Sequence, residues 1–513
     1  MKTEKEEFDL SLKLLAKSSF VIFIAVILSK AFTYMYRIVT ARFYGPEAYG
    51  LLSLSLMIIG WFTIVAGMGL PNGLTRFVSF FRGKKQYDKI SMIFRKSFYL
   101  LAFFSLVASI LLFFLSEFIA GNIFNNSDLV IFLKIFSLVI PFVVLSSSML
   151  AVMRAFELVN SHSLISKILD SGTKLILVVF LALYGLSQIA ISLSYLGGAI
   201  ITFLASLLYL KLKVPFVFTS QDERKSKESG LGEMFSYSWP LIFFGFAITL
   251  LHWTDTFIIG LFKTVKDVGF YNAAIPIALA LTISIDLFRH LFFPLVTKEY
   301  SKKNYFVVSQ LSKQVGKWVF MLSFPFFVLI MLFPGSFISL FFGNEYLVAK
   351  EALRFLAVGA MFTSLFEISK ELLSMKGKTK LILVDIGVIT FFNLLLNIAL
   401  VPKYGINGAA FSTMLSLMAL GLIFAFQAKK ELGIFPVKTQ MLKIAAISVL
   451  SGAALFLIKE FLQGGYATTI ILLLLYFSLY LAGILITKCL DENDKLILNS
   501  FKRKVLKFKG KVN

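Results

Sequence analysis

The sequence is poor in charge and almost free of cysteine. Only 15% of its 513 residues are charged, and Cys489 is the single cysteine, which excludes an intramolecular disulfide framework. The three histidines lie far apart in the chain without metal-ligand spacing. No Walker A segment GxxxxGK[ST] supports ATP hydrolysis. We therefore predict no metal site, no cofactor and no catalytic residue.

Apolar segments, in contrast, are abundant. Hydrophobic residues make up 58% of the chain, and apolar blocks of about 20 residues, each long enough to span a bilayer, recur from end to end. This pattern predicts an all-α polytopic membrane protein with about 14 transmembrane helices. The predicted spans lie at approximately 19–40, 50–70, 94–117, 129–152, 164–184, 188–210, 235–262, 270–292, 318–341, 351–374, 381–401, 405–427, 441–460 and 467–487.

The charges that are present are mostly basic. The chain has 51 Lys and Arg residues against 28 Asp and Glu residues, a net charge of +23. About four-fifths of the basic residues fall on one side of the predicted spans, which predicts that both termini are cytoplasmic. Because no basic, aromatic-rich soluble domain accompanies them, we assign the excess to anionic lipid headgroups and predict no nucleic-acid binding.

The chain contains a degraded internal repeat. Three matched pairs stand at nearly one offset: Gly50 with Gly269 at 219 residues, Leu133-Lys134 with Leu353-Arg354 at 220, and Tyr184-Gly185 with Tyr404-Gly405 at 220. The unit is six predicted helices. Six is an even number, so both halves insert with the same orientation, related by an axis along the membrane normal. We predict two parallel six-helix repeats followed by two C-terminal helices.

The spans and the repeat predict six segments, with approximate boundaries. They are a cytoplasmic N-terminal tail (1–18), an N-lobe of helices 1–6 (19–212), a cytoplasmic linker (213–234), a C-lobe of helices 7–12 (235–430), two extra helices (431–487) and a basic cytoplasmic tail (488–513).

A polar stripe runs along the first apolar helix. Lys30, Tyr34 and Arg37 are spaced by four and three residues and therefore share one face. A cation at membrane depth costs several kcal/mol unless it meets water, a partner or a polar ligand. We predict that these three residues, with Arg42 just beyond the helix, bind an anionic substrate. The alternative is that Arg37 lies at the outer headgroups.

Asp255 is an isolated acid in the seventh span, with His252 on the same helical face. By the repeat offset it lies at a depth similar to Arg37, which suggests an Arg37–Asp255 pair or a shared ligand. A buried carboxylate is also a candidate for binding a coupling ion or proton. A static ion pair is the alternative for Asp255, and an interfacial polar residue is the alternative for His252.

Three other cations are less specific. Lys134 and Arg354 occupy equivalent positions in the two repeats, so we interpret them as ion-paired or headgroup-anchoring residues, with a role in a cavity as the alternative. Arg289 follows Asp286 at the inner end of the eighth span. It is a candidate substrate contact, although an internally satisfied charge cluster explains it equally.

Several longer segments resemble a known family. They are ARFYGPEAYGLLSLS, GMGLPNGLTRFVS, SWPLIFFGFAITLLHWTDTFIIG, VGFYNAA and KYGINGAAFST. Together they are similar to the polysaccharide-flippase branch of the multidrug/oligosaccharidyl-lipid/polysaccharide exporter superfamily. The resemblance covers nearly the whole chain. It implies two lobes forming a V around a central cavity, alternating access, and location in the plasma membrane. It also implies contact with glycosyltransferases or polymerases of one pathway, and it does not require more than a monomer.

The function that the resemblance implies is transport of an isoprenoid-pyrophosphate-linked oligosaccharide from the cytoplasmic to the outer leaflet. Lipid II-type flippases also carry cations in the first helix, but this chain lacks their full arginine set. A cation-coupled multidrug or lipid exporter of the same superfamily is the other alternative within transport. A membrane glycosyltransferase would need a large outer loop, which the predicted topology lacks, so we predict that the protein is not an enzyme. A non-transporting scaffold or scramblase stays open.

Overall fold

The computed structural model of the protein describes residues 2–219, 231–461, 466–487, 489–491 and 494. Throughout this part of the chain the regular secondary structure is helical, without a strand, as the all-α prediction requires. Part of the predicted 213–234 linker and most of the predicted 488–513 tail lie outside the described residues.

The described residues up to 219 form eight α-helices. They are α1 (Lys2–Gly67), α2 (Leu70–Gly83), α3 (Tyr87–Phe118), α4 (Asp128–Ser137), α5 (Val139–Ala155), α6 (Val159–Ser163), α7 (Asp170–Leu183) and α8 (Ile189–Lys213). Two π-helical segments, Ile119–Ile123 and Leu164–Leu169, follow α3 and precede α7.

The described residues from 231 onward form nine α-helices. They are α9 (Leu231–Phe262), α10 (Val265–Leu279), α11 (Ile283–Ser301), α12 (Tyr305–Leu332), α13 (Pro334–Phe341), α14 (Lys350–Met375), α15 (Thr379–Leu432), α16 (Gln440–Phe461) and α17 (Tyr466–Ile486).

Ten helical segments of the described chain are long and apolar enough to cross a membrane. They are Ala25–Gly67, Tyr87–Ile123, Asp128–Ala155, Ile189–Lys213, Gly232–Phe262, Val265–Asp286, Tyr305–Leu332, Asn344–Met375, Thr379–Leu432 and Gln440–Ile458, and a shorter apolar helix covers Ile471–Ile486. The multi-pass prediction is confirmed. The total of 14 crossings stays a prediction.

Two of these segments are far longer than one crossing needs. Ala25–Gly67 has 43 residues and Thr379–Leu432 has 54, whereas about 20 suffice. Each contains a glycine with non-helical backbone angles: Gly45 has φ 81° and Gly405 has φ 56°. Positive φ is available to glycine at little cost, so the helix axis changes direction there. The sequence predicts two successive spans at each place, and the structure has two helices that meet at a kink.

Each kink leaves carbonyl groups of the preceding helical turn without an intrahelical donor. Before Gly45, the carbonyl of Ala41 accepts a hydrogen bond from the Tyr346 hydroxyl at 3.1 Å. Before Gly405, the carbonyl of Pro402 accepts one from Lys263 Nζ at 3.0 Å. Side chains remote in sequence therefore stabilise both kinks.

Helix α2 occupies a stretch for which the sequence predicts a cytoplasmic loop. Its buried residues include Leu70, Leu74, Val78 and Phe81, which recur at the spacing of one helical face. That spacing is the signal by which the helix could have been found. The basic residues around it conceal the pattern from a search for long apolar runs.

Backbone contacts group the chain into two compact units. The first comprises Met1–Pro276, Phe341–Ala352 and Leu383–Thr413, and the second comprises Ile277–Leu340, Leu353–Ile382 and Met414–Asn513. Each unit combines segments that are distant in sequence.

Within the first unit, α1 and α10 meet backbone against backbone. A Cβ atom on Gly50 would lie 1.9 Å from the carbonyl oxygen of Val265, and one on Gly269 would lie 1.9 Å from the carbonyl oxygen of Pro46. The contact is reciprocal, because Val265 and Gly269 follow Pro46 and Gly50 by the same 219 residues. Only glycine permits this close approach of the two backbones. The contact therefore explains why both repeats have a glycine at this position.

Within the second unit, an ionic network ties the segment after α17 to α12. Lys317 is fully buried; its Nζ atom lies 3.0 Å from Asp491 and also contacts Asp494. Asp494 accepts further hydrogen bonds from Trp318 at 2.6 Å and Gln314 at 2.7 Å. Burial alone would raise the pKa of Asp491, but hydrogen bonds from Lys317 and neighbouring donors outweigh it and hold that pKa well below its usual range.

Candidate functional site

A cavity of about 300 Å³ lies inside the first unit among α1, α7, α8 and α9. The residues that line it are Thr33, Tyr36, Arg37, Leu52, Leu56, Asp170, Ser171, Lys174, Tyr195 and Trp253. Two of these are cations and one is an anion. The cavity therefore carries one excess positive charge within apolar helices, where a cation is costly unless it serves a ligand or a partner.

The neighbour of Arg37 fixes the position of α1 at this cavity. Tyr36 is buried, and its hydroxyl donates to the carbonyl of Ile191 at 3.1 Å and lies 3.4 Å from Ser194. Both partners belong to α8. Because this bond holds the rotation of α1, the half-buried side chain of Arg37 is kept at the cavity wall.

Lys174 supplies the second cation, and its contacts fix the position of its ammonium group. Its Nζ atom lies 2.9 Å from Asp170 and 3.9 Å from the centre of the Tyr195 ring. The other Asp170 oxygen accepts from Thr202 at 3.3 Å. The side chain packs on Gly198, where a Cβ atom would lie 2.4 Å from Lys174 Cγ. Lys174 is thus a pre-positioned cation, and among the described residues Asp170 is the one carboxylate that pairs with it.

The π-helical segment Leu164–Leu169 directly precedes these cavity residues. A π turn contains one residue more than an α turn, so it changes the rotational register of the following helix, and such segments are frequent at functional sites. The register that results here places Asp170, Ser171 and Lys174 together at the cavity wall.

The predicted polar stripe reaches this cavity at one residue only. Arg37 lines the cavity, whereas Lys30 and Tyr34 are half-buried and are not among the residues that line it. Arg42 is exposed, and its Nε atom donates to the carbonyl of Phe341 at 2.8 Å. The cation that joins Arg37 comes from α7 instead of from the same helix.

Asp255 is buried in a second polar cluster of the first unit. Its carboxylate accepts hydrogen bonds from the Tyr271 hydroxyl, from Asn397 Nδ2 at 2.9 Å and from Thr413 Oγ1 at 2.6 Å. Asn393 adds a bond to Thr413 at 3.1 Å. These partners are neutral, so the described residues place no cation against the carboxylate.

The Asn397 side chain leaves one acceptor unused. Its Oδ1 atom is buried and accepts no hydrogen bond in the described structure, although its Nδ2 atom contacts Asp255. An orphaned amide oxygen beside a buried carboxylate offers the hard oxygen ligands that small cations bind.

The suggested Arg37–Asp255 ion pair is not formed between these two described side chains. Asp255 is bound by the neutral donors of α10 and α15. His252, predicted to share a face with Asp255, is exposed, while Asp255 is buried. The two candidates therefore belong to different surroundings.

The remaining predicted cations have partners within their own units. Lys134 forms an exposed pair with Glu117 at 2.7 Å in the first unit. In the second, Arg354 donates to the carbonyl of Met331 at 3.1 Å, and Arg289 lies 3.6 Å from Asp286 and 3.9 Å from Glu367. These contacts favour the ion-paired interpretation of Lys134 and Arg289.

Lys174 and Asn397 are functional candidates that the sequence reasoning misses. In both cases a signal exists: Asp170 and Lys174 are four residues apart, as are Asn393 and Asn397, and both pairs lie in apolar surroundings. Polar residues at that spacing share a helix face. Within a membrane segment they indicate a polar interior surface.

Comparison with known proteins identifies the family. A family model described as "Polysaccharide biosynthesis protein" matches residues 15–299, more than half of the chain. The chain belongs to this polysaccharide biosynthesis protein family. A second model, MatE, matches residues 240–402.

Individual relatives of this family member have low sequence identity but align over most of its length. The lipid II flippase MurJ of Bacillus subtilis is 24% identical over 80% of this chain and 82% of its own length. A putative O-antigen transporter of Shigella flexneri is 24% identical over 72% of this chain and 87% of its own length. A solved structure of the lipid II flippase MurJ in an inward closed conformation aligns with a TM-score of 0.73 at 17% identity, covering 91% of this chain and 98% of that chain.

These matches confirm the resemblance to the flippase branch of the exporter superfamily. The relatives are transporters and flippases, so this family member is a multi-pass membrane transporter and not an enzyme.

Proposed function

We propose that the protein flips an isoprenoid-pyrophosphate-linked oligosaccharide from the cytoplasmic to the outer leaflet by alternating access. The observation that carries this proposal is the cavity in which Arg37 and Lys174 outnumber Asp170. Family membership and relatives described as a lipid II flippase and an O-antigen transporter support a lipid-linked saccharide as the substrate.

The cavity suits the pyrophosphate part of such a substrate. Arg37 offers a planar fork for phosphate oxygens, and Lys174 offers a point charge. Tyr195 and Trp253 add aromatic surface beside the two cations. At about 300 Å³ the cavity is at the small end of ligand pockets. We therefore assign to it the pyrophosphate, and place the saccharide outside it.

We further propose that the Asp255 cluster couples transport to a proton or a monovalent cation. A buried carboxylate is costly when charged unless a cation accompanies it. Its hydrogen-bond donors are neutral, and the unused Asn397 Oδ1 atom is a further ligand. Occupancy of this cluster would therefore change the net charge inside the first unit.

The family and the charge pattern support the remaining parts of the proposal. We place the protein in the plasma membrane with both termini cytoplasmic, because basic residues concentrate on one side of the predicted spans. The two six-helix lobes, the V-shaped arrangement, the monomeric state and the glycosyltransferase or polymerase partners are parts of this proposal.

Removal of either cavity cation is expected to abolish most transport. Charge-assisted hydrogen bonds contribute about 1.5–3 kcal/mol, so Arg37→Ala and Lys174→Ala should each slow movement about tenfold or more. The measurement is transbilayer movement of a labelled isoprenoid-pyrophosphate oligosaccharide in proteoliposomes, with the folding of each variant checked by thermal unfolding.

Lys96→Ala is the matched control, because Lys96 is an exposed cation on α3 of the same unit. It should transport as the wild type does. Undiminished movement in folded Arg37→Ala and Lys174→Ala would refute the site. Absence of movement in the wild type, together with export of cationic drugs, would favour the multidrug alternative.

Asp255→Asn is expected to uncouple transport from its ion gradient. The amide keeps the size of the side chain but cannot exchange a proton or neutralise a cation. Stimulation of movement by an imposed proton or sodium gradient should disappear, while binding of the pyrophosphate lipid persists. Asp128→Asn, at an exposed position of α4, should keep the stimulation. A gradient response that survives Asp255→Asn contradicts the assignment.

A further inference from the structure

An open pocket of about 570 Å³ lies between α2 and α9, apart from the cavity of Arg37 and Lys174. It is lined by Arg76, Phe77, Gly232, Glu233, Ser236 and Tyr237. No residue is shared with the lining of the Arg37 cavity. Both helices belong to the first unit at this point.

The Arg76 guanidinium lies over aromatic rings. Its Cζ atom lies 4.2 Å from the centre of the Tyr237 ring and 5.7 Å from that of Phe77. A guanidinium has five N–H donors, and a cation–π contact leaves most of them available to a ligand. The contacts of Arg76 within the described residues are with these aromatic rings and include no ion pair, although Glu233 lines the same pocket.

Close backbone packing fixes this arrangement. A Cβ atom on Gly73 would lie 2.2 Å from Ser238 Oγ, and one on Gly69 would lie 2.3 Å from the carbonyl oxygen of Ser238. The two glycines let α2 approach α9 next to Arg76 and Tyr237. Arg76 and Tyr237 are therefore presented side by side by two helices in close contact.

The chemistry of the pocket selects a phosphate carried on a sugar. A guanidinium without an ion pair among the described residues can bind phosphate oxygens in bidentate geometry. The Glu233 carboxylate and the Ser236 hydroxyl are hydrogen-bond partners for sugar hydroxyl groups. Both helix segments adjoin chain regions that carry the basic excess of the predicted cytoplasmic side.

We propose that this pocket is a loading site, where the phosphate end of the lipid-linked saccharide binds Arg76 before it reaches the Arg37 cavity. The first sugar then faces Glu233 and Ser236. This inference rests on the proposed function for the identity of the ligand, and on the cation–π contacts of Arg76 and the pocket lining for the site.

The test is equilibrium binding of farnesyl pyrophosphate to the purified full-length protein in detergent. Loss of a charge-assisted pair predicts about tenfold weaker binding for Arg76→Ala. Arg76→Lys keeps the charge without the planar fork and should bind with intermediate affinity. Lys84→Ala is the control, because Lys84 also lies over an aromatic ring, Phe80 at 4.3 Å, but outside the pocket. It should bind as the wild type does.

The same titrations in an Arg37→Ala background separate the two sites. If the pocket is independent, the loss caused by Arg76→Ala should be the same in both backgrounds. Because the assay measures binding and not movement, it succeeds or fails independently of the flippase assay. Binding within twofold of wild type for folded Arg76→Ala and Arg76→Lys overturns the proposal. The proposal is also overturned if phosphatidylglycerol displaces the probe as effectively as unlabelled farnesyl pyrophosphate does. That result would identify an anionic membrane lipid as the ligand.

Discussion

Lys317→Ala is expected to lower the free energy of unfolding by about 3–5 kcal/mol. Lys317 is fully buried and contacts Asp491 and Asp494, and Asp494 is itself only 4% exposed. Removing the cation leaves at least one buried carboxylate without its counter-charge, which costs more than the pair contributes. Thermal or denaturant unfolding of the detergent-solubilised protein measures the change.

Lys302→Ala is the control for this prediction. Lys302 pairs with Glu299 at 3.1 Å in the same unit but is exposed, so its removal should cost less than about 1 kcal/mol. Lys317→Met combined with Asp494→Leu should be less destabilised than Lys317→Ala, because Asp494 is no longer a buried charge. Equal stability of Lys317→Ala and Lys302→Ala would show that the network does not stabilise the fold.

The pH dependence of stability provides a second test of the same ionic network. The pKa of Asp491 is lower in the folded protein than its unfolded value of about 4. Its stabilising contribution is therefore complete above that value and is lost as the pH falls below it. The wild type should lose stability on acidification below about pH 4, and Lys317→Ala should lose less, since one donor that lowers the pKa is gone.

Gly269→Ala is expected to destabilise the protein by about 2–3 kcal/mol or to prevent folding. The added Cβ atom would lie 1.9 Å from the carbonyl oxygen of Pro46 and 3.1 Å from the backbone nitrogen of Gly50. Both are main-chain atoms, so no rotation of a side chain relieves the clash. Helix α10 must move away from α1, or the substitution is not tolerated. Gly50→Ala, opposed to Val265 in the same contact, should behave alike.

Gly60→Ala separates this clash from the general effect of replacing a helical glycine. Gly60 lies in α1, and a Cβ atom added there would meet no neighbouring atom of the described chain within 4 Å. Alanine should therefore be neutral or stabilise the protein by up to about 1 kcal/mol. In thermal unfolding, Gly269→Ala and Gly50→Ala should lower the unfolding temperature clearly. Gly60→Ala should leave that temperature unchanged or raise it. A common unfolding temperature for Gly269→Ala and Gly60→Ala would contradict the close contact.

Much of the architecture is readable from the sequence because its signals are local. Apolar runs of sufficient length identify the helices, and the family segments identify the superfamily. The two kinks are harder, because glycine followed by proline at Gly45 predicts a break between helices without showing its backbone geometry. Helix α2 is not predicted from the sequence, because its periodic pattern of apolar residues, from Leu70 to Phe81, is short and interrupted by charged residues.

The candidate sites, too, are only partly predictable from the sequence. Arg37 and Asp255 can be selected from the sequence, since a charge within an apolar helix is costly wherever the helix lies. Their partners cannot be selected that way. Lys174 joins Arg37 from another helix, and Asp255 meets Asn397 and Thr413 from α15, more than a hundred residues away.

The sequence by itself determined that this chain is helical, that it crosses a membrane many times, and that Arg37, Asp255 and the paired glycines need an explanation. Only the tertiary structure decided which charges share a cavity, which glycines touch, and that Lys317 holds the segment after α17. The physical reason is that hydrophobic length and burial cost belong to each segment separately. The rotation and register of helices remote in sequence depend on their packing, and these decide which side chains meet.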